Sequence, residues 1–238
     1  MKKITILFFF FLLAPQTIFA YTICSHCVTV PDSSRVNKQW SQYSPWVMHE
    51  NGWDRYRMYF GRNEEVQGVS ADRIYLSENF GDGISEWTQP TILLSPTDQD
   101  AFPGEKGLIH DPTVIISDQS VWNMYYTATD TKTQIPGLQW KNKIYHAISS
   151  NGVNFHRQGE INIHNLPNQT GTFGIGQPSI LYENNKYYLY FFSDIDADHG
   201  TIFLAEGTDG HNFEYYGRVS SLIVVNPQII KRNQQYLL

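Results

Sequence analysis

The chain has 238 residues, of which 41% are hydrophobic and 15% aromatic, enough to build a substantial core in one large domain or two small ones. Seventeen Lys and Arg against 23 Asp and Glu leave a formal charge of −6. A chain this poor in basic residues lacks the face that nucleic-acid binding requires, so no nucleic-acid partner is expected.

Residues 1–20, "MKKITILFFFFLLAPQTIFA", read as a signal peptide: Lys2 and Lys3 start it, Ile4 to Ala14 form an apolar run, and Ala20 offers a cleavage point. That apolar run is shorter than the roughly 20 residues needed to cross a bilayer, which favours export over the alternative of an uncleaved anchor. Cleavage after Ala20 removes two lysines and no acid, taking the charge from −6 to −8. A secreted or periplasmic location is expected. Residues 21–38 form a tail with the only cysteines, Cys24 and Cys27, in "YTICSHCVTV". No second ligand pair accompanies them and Val28 stands where haem attachment needs His, so a local disulfide or an inert tail is expected.

From residue 39 to residue 238 the chain repeats itself. "YSPWVMHENGWDRYRMYFG", "HDPTVIISDQSVWNMYYTA", "GQPSILYENNKYYLYFFS" and "NPQIIKRNQQYLL" each run from polar residues through Pro into an apolar strand, a polar turn and an aromatic strand. The prolines are Pro45, Pro112, Pro178 and Pro227, separated by 67, 66 and 49 residues. Downstream of the first three comes a second repeated unit, a strand closed by Asp82-Gly83, Asn151-Gly152 or Asp209-Gly210 and followed by Trp87, Phe155 or Phe213. Asp-Gly and Asn-Gly supply the positive φ angles of tight hairpins. Each unit therefore reads as four antiparallel strands, and no amphipathic helix is expected.

Four-stranded units at this spacing predict an all-β, five-bladed-type β-propeller, incomplete at the C-terminus, with about three blades plus the start of a fourth. The blades are expected at about 39–105, 106–170, 171–222 and, in part, 223–238. An open propeller exposes blade edges, so self-association through them is expected. In a propeller the first strand of each blade lines the axis, and the loop joining the second and third strands returns to the same funnel. That places His110, Asp111 and Gln177 near the "TDTKTQIPGLQWK" and "SDIDADHG" loops.

The Pro-led inner strands and the "S-x-N/D-G-x-x-F" hairpins resemble the five-bladed β-propeller glycoside hydrolase superfamily: arabinanases, β-xylosidases, invertases and levansucrases of families 43, 32, 62 and 68. "HDPTVI" is similar to the Arg-Asp-Pro and Asp-Pro segments of that superfamily. The resemblance implies carbohydrate as ligand and Asp111 as a catalytic carboxylate, matching the stabilising Asp of the second blade. It also implies an inner-strand carboxylate in the first and third blades, where this chain has Ser44 and Gly176-Gln177. Glycoside hydrolysis needs a pair of carboxylates flanking the sugar, and neither Ser nor Gly can serve as the acid. Two readings therefore stand: an exported carbohydrate-active protein that hydrolyses O-glycosyl bonds or recognises glycans, and a non-catalytic glycan-binding or interaction module, or a decayed fragment.

Around Asp111, the expected substrate-binding residues are His110, Asp130, Trp140, Gln177, Asp194 and Asp196. Trp46, Trp122, Trp140 and the tyrosines either stack on sugar rings or, as most aromatics in a propeller do, fill the gaps between blades; Trp140, in a funnel-side loop, is the best candidate for a sugar platform. Asp54 falls in a turn away from the funnel. Asp111 has a purely local alternative, because Asp before Pro often bonds its own turn. No cofactor is expected. "DIDADHG" is similar to a calcium loop, but its glycine comes one place late and Ala205 occupies the position of the bidentate Glu.

Overall fold

The computed structural model describes residues 42–49, 52–66, 68–83, 86–130, 141–167, 173–194, 200–220, 224–232 and 235–238. The signal peptide, the cysteine pair, Trp140 and Asp196 lie outside these residues. Strands β1 (Gln42–Met48), β2 (Tyr56–Val66), β3 (Val69–Asn79) and β4 (Thr91–Leu94) form one antiparallel four-stranded sheet in that order. A second sheet repeats the arrangement with β5 (Leu108–Ile116), β6 (Trp122–Thr129), β7 (Asn142–Ser149) and β8 (His156–Glu160). Next in the chain, β9 (Asn162–His164) leaves the second unit and pairs in parallel with β13 (Asn212–Arg218) of the third. That third sheet is completed by β10 (Ile175–Glu183), β11 (Lys186–Ser193) and β12 (Thr201–Gly207). A two-stranded sheet of β14 (Ile230–Arg232) and β15 (Gln235–Leu237) follows. The architecture is that of consecutive propeller blades.

The core lies between blades rather than within them. Tyr59, Ile74, Leu76 and Leu94 of the first blade close against Ile109, Val114, Met124 and Tyr126 of the second. Tyr125 and Ile144 of the second close against Ile180, Leu189, Phe191 and Phe213 of the third. Successive side chains of a strand point to opposite faces. Along β6, Met124 and Tyr126 therefore meet the blade before, and Tyr125 meets the blade after. Every residue of β6 is buried as a result, which explains why its apolar and aromatic residues, Trp122, Met124, Tyr125, Tyr126 and Ala128, do not alternate strictly with polar ones.

Paired tyrosines join the blades. The hydroxyl of Tyr59 donates to the Gly152 carbonyl at 2.8 Å, and that of Tyr125 donates to the Gly210 carbonyl at 2.7 Å. Both acceptors are hairpin glycines of the next blade, and Gly83, Gly152 and Gly210 share φ values of 73°, 71° and 76°. The carboxamide of Asn151 and the carboxylate of Asp209 fold these hairpins by accepting backbone N–H groups two and three residues on. Nearer the axis, Ile180 N–H donates to Thr113 Oγ1 at 3.4 Å, and Ile229 N–H to Ser179 Oγ at 2.9 Å. The same two positions of successive inner strands make both bonds.

Candidate functional site

Each inner strand opens with a residue before proline held in the left-handed region: Ser44 (φ 50°), Asp111 (φ 51°), Gln177 (φ 52°) and Asn226 (φ 53°). A residue before Pro ordinarily takes an extended conformation, and a non-glycine residue at positive φ costs on the order of 1 to 3 kcal/mol. In the first three blades the cause is visible in the register. Pairing jumps from Tyr43 to Trp46, from His110 to Thr113 and from Gly176 to Ser179, so the residue and its proline form a bulge. A bulge re-aims a side chain. Here it joins the four residues into a polar belt that passes from blade to blade.

The belt is continuous. Ser44 Oγ donates to Asp111 Oδ1 at 2.5 Å, and Thr127 Oγ1 donates to Asp111 Oδ2 at 3.3 Å. Thr127 in turn accepts the Gln177 N–H at 2.8 Å, and Gln177 Oε1 accepts the Asn226 N–H at 2.9 Å. Asp111 is the only charged member of this chain of bonds.

His110 Nδ1 stands 2.8 Å from Asp111 Oδ2, and because a carboxylate only accepts, Nδ1 carries the hydrogen. The dyad is enclosed, with 16% of the His110 side chain and 9% of the Asp111 side chain exposed. Burial alone would raise the Asp111 pKa, but the bond to His110, aided by Ser44 and Thr127, holds the carboxyl below its ordinary range. Burial likewise opposes charge on His110, and the Asp111 carboxylate overcomes it and raises the imidazole pKa above its ordinary value. The pair favours carboxylate and imidazolium. Three donors already occupy the carboxylate, leaving about one of its four lone-pair sites for anything else.

A second carboxylate stands on the same side. Asp72 lies near the Tyr43 hydroxyl, where its charge acts on both Tyr43 and His110, and Asn63 Nδ2 donates to Asp72 Oδ1 at 2.7 Å. The Tyr43 ring meets His110 edge-on, with centroids 6.1 Å apart. Sequence reasoning passed over Asp72 because it lies at the start of β3, in no repeated motif. It also passed over Thr127, and it placed Ser44 at the funnel without giving it a role other than that of a missing acid. The signal for Ser44 was present in its place before Pro45.

The other expected residues divide. Gln177 joins the belt through both its backbone and its side chain. Asp194, at the end of β11, accepts the Phe173 N–H at 3.1 and 3.2 Å and so ties down the approach to β10. Asp130 follows β6 near Tyr145, whose hydroxyl pKa it helps to raise behind the larger effect of burial. Trp122 packs face to face on Trp53, with centroids 5.1 Å apart, and fills an interblade gap. Asp54 pairs with Arg55 at an exposed turn. Among the described residues no group of three or more His, Cys, Asp or Glu is arranged to hold a metal ion, and no helix is long and apolar enough to cross a membrane.

No family model and no curated protein matches the chain. Solved structures do. BT0996, solved in a complex with RGII, is 17% identical at a TM-score of 0.60, over 82% of this protein and 63% of that one. A family 117 glycoside hydrolase from the marine bacterium Zobellia galactanivorans is 14% identical at a TM-score of 0.57, over 74% of this protein and 55% of that one. An N-acetylgalactosamine deacetylase from F. plautii, solved with blood group B trisaccharide, is 15% identical at a TM-score of 0.54, over 82% of this protein and 57% of that one. This protein therefore spans less than two thirds of the length of each. At these identities the likeness speaks for the fold, and the fold here is the propeller of the glycoside hydrolases.

Proposed function

We propose that the chain is an exported carbohydrate-active protein that recognises a glycan at the axial end of its inner strands, with His110 and Asp111 as the polar anchor. The observation that carries this reading is the His110–Asp111 dyad, set at the head of the second inner strand by a left-handed residue before proline. A strained backbone that presents a charged pair at the axis is the arrangement expected of a ligand site. The imidazolium has its Nδ1 hydrogen committed to Asp111, so its Nε2 hydrogen is the one available to a sugar oxygen. Asp111 has one acceptor position left for a sugar hydroxyl. Glycan-bound neighbours such as the deacetylase with its trisaccharide support the ligand class by analogy of fold.

Recognition is favoured over hydrolysis because Ser44, Gln177 and Asn226 put no second carboxylate into the belt. The test is a glycan array on the mature chain, beginning with pentose and fructose polymers, followed by titration of Asp111→Asn and His110→Ala. A charge-assisted hydrogen bond contributes about 1.5 to 3 kcal/mol, so each variant is expected to lose at least about tenfold in affinity. Full retention of binding by both variants would place the ligand elsewhere.

One observation favours a hydrolytic reading: Asp72 brings a second carboxylate within electrostatic reach of His110. If Asp72 and Asp111 act as a pair, aryl glycosides of pentoses or fructose release their aglycone, and Asp72→Asn abolishes release without weakening glycan binding. Absence of turnover by the wild-type chain leaves recognition as the function.

A further inference from the structure

A cavity of about 370 Å³ lies between the second and third blades, where the β5–β6 turn meets the Asp209-Gly210 hairpin. Ser117, Asn123, His146, Tyr187, Asp209 and His211 line it. None of these residues belongs to the belt around Asp111. The cavity falls within the volume of ordinary small-molecule sites, roughly 300 to 1,000 Å³.

Its wall holds an unmatched acceptor. His146 is 4% exposed, and its ring is stacked on Tyr125 with centroids 4.7 Å apart and planes 8° apart. Tyr125 is itself tied to the Gly210 carbonyl. Asn123 Nδ2 donates to the Val121 carbonyl at 2.9 Å, which turns Asn123 Oδ1 toward His146 Nε2 at 3.0 Å. Nε2 therefore carries the ring hydrogen, and Nδ1 presents a lone pair. That Nδ1 is buried and has no partner, and His211 Nδ1 is in the same condition, with the two rings 5.9 Å apart. A buried acceptor left unpaired is destabilising, and a ring held this firmly cannot turn to find a partner. Burial, with His211 nearby, pushes the His146 pKa down to about 3, so the lone pair persists at neutral and mildly acidic pH.

We infer that this interblade cavity is a second binding site, taking a small neutral polyhydroxy molecule of monosaccharide size, one hydroxyl of which donates to His146 Nδ1. The remaining wall suits such a ligand. Tyr187 offers an aromatic edge, Val121 and Ile148 offer apolar surface, and Ser117 and Gln158 offer groups that both donate and accept. Charged ligands fit poorly. Asp209 repels anions, and its carboxylate is already engaged by two backbone N–H groups and the Asn212 amide, so it is not free to pair with a cation.

The experiment is nitrogen NMR of the histidine rings of the full chain, titrated with D-glucose, L-arabinose, D-fructose and glycerol at millimolar concentrations, with Zn²⁺ as a separate arm. Saturable movement of the His146 Nδ1 resonance with at least one sugar, unchanged in Asp111→Asn, supports the site and separates it from the axial one. His211→Ala, at the rim of the cavity, is expected to weaken that sugar at least about threefold, and His146→Phe, which keeps the stacked ring, about tenfold or more. If His146→Phe does not fold, the wild-type titration and His211→Ala decide alone. No movement with any of the four compounds, movement abolished by Asp111→Asn, or a response to Zn²⁺ alone would overturn the inference.

Discussion

Replacing Asp111 by Asn is expected to destabilise the chain in one pH window and not outside it. In the folded protein the carboxylate accepts from Ser44, His110 and Thr127. An amide can reproduce much of this. Its oxygen can face His110 and Thr127, and its nitrogen can donate to Ser44, whose hydroxyl turns to accept. What it cannot reproduce is the charge opposite the imidazolium. A hydrogen bond to a charged group is worth about 1.5 to 3 kcal/mol and a neutral one about 0.5 to 1.5, so the expected loss is about 1 to 2 kcal/mol. For a domain of this size that lowers Tm by about 2 to 8 °C. The pH dependence follows from the two shifts. Asp111 has a lowered folded pKa, so its contribution is present above the unfolded value of about 3.9 and fades as pH falls through the folded one. His110 has a raised folded pKa, so its contribution is present below the unfolded value of about 6.5 and fades as pH rises through the folded one. The deficit should be widest between about pH 4 and 6.5. Thermal unfolding of both proteins across pH 3 to 9 reads it directly. A deficit that is flat across pH, or absent near pH 5.5, would refute the charged dyad.

Two further outcomes concern the joints between blades. Glu105 is fully buried and accepts from Tyr126 Oη at 2.5 Å, Arg157 Nε at 3.2 Å and the Phe102 N–H at 2.7 Å. Arg157 keeps its pairs with Asp98 at 2.9 Å and Asp100 at 2.6 Å, so Glu105→Gln strands no cation and is expected to cost about 1 to 2 kcal/mol in chemical denaturation, the charge-dependent part of the bonds from Tyr126 and Arg157; no measurable change would show that those bonds do not depend on the charge. Tyr125→Phe keeps the ring but leaves the Gly210 carbonyl without its donor, so a loss of about 1 to 2 kcal/mol is expected, with faster amide exchange in the Asp209-Gly210 hairpin. Unchanged exchange there would mean that the tyrosine bond does not couple the blades.

The repeat was legible in the residues themselves, because its signals are local. Proline removes a donor and fixes φ wherever it stands, and Asp-Gly and Asn-Gly form tight hairpins in any context. From these the all-β class, the four-stranded blades and the prominence of Asp111 all followed. The sequence also marked the position before each proline, but not why it matters. Ser44 looked like a missing carboxylate, and only the assembled blades make it a donor to Asp111 across 67 residues of chain. Such distances depend on how one blade is rotated against the next, which is set by interblade packing that no local pattern encodes. For the same reason β9 was unreadable as part of the third sheet, since its three residues pair with a strand about 50 residues away. His146 shows the limit most clearly. In the sequence it is one of several polar residues in the mixed strand "NKIYHAIS". The stacked ring of Tyr125, the turned amide of Asn123 and the wall of the next blade together leave one nitrogen of that residue buried without a partner beside a cavity, and tertiary structure alone brings those groups together.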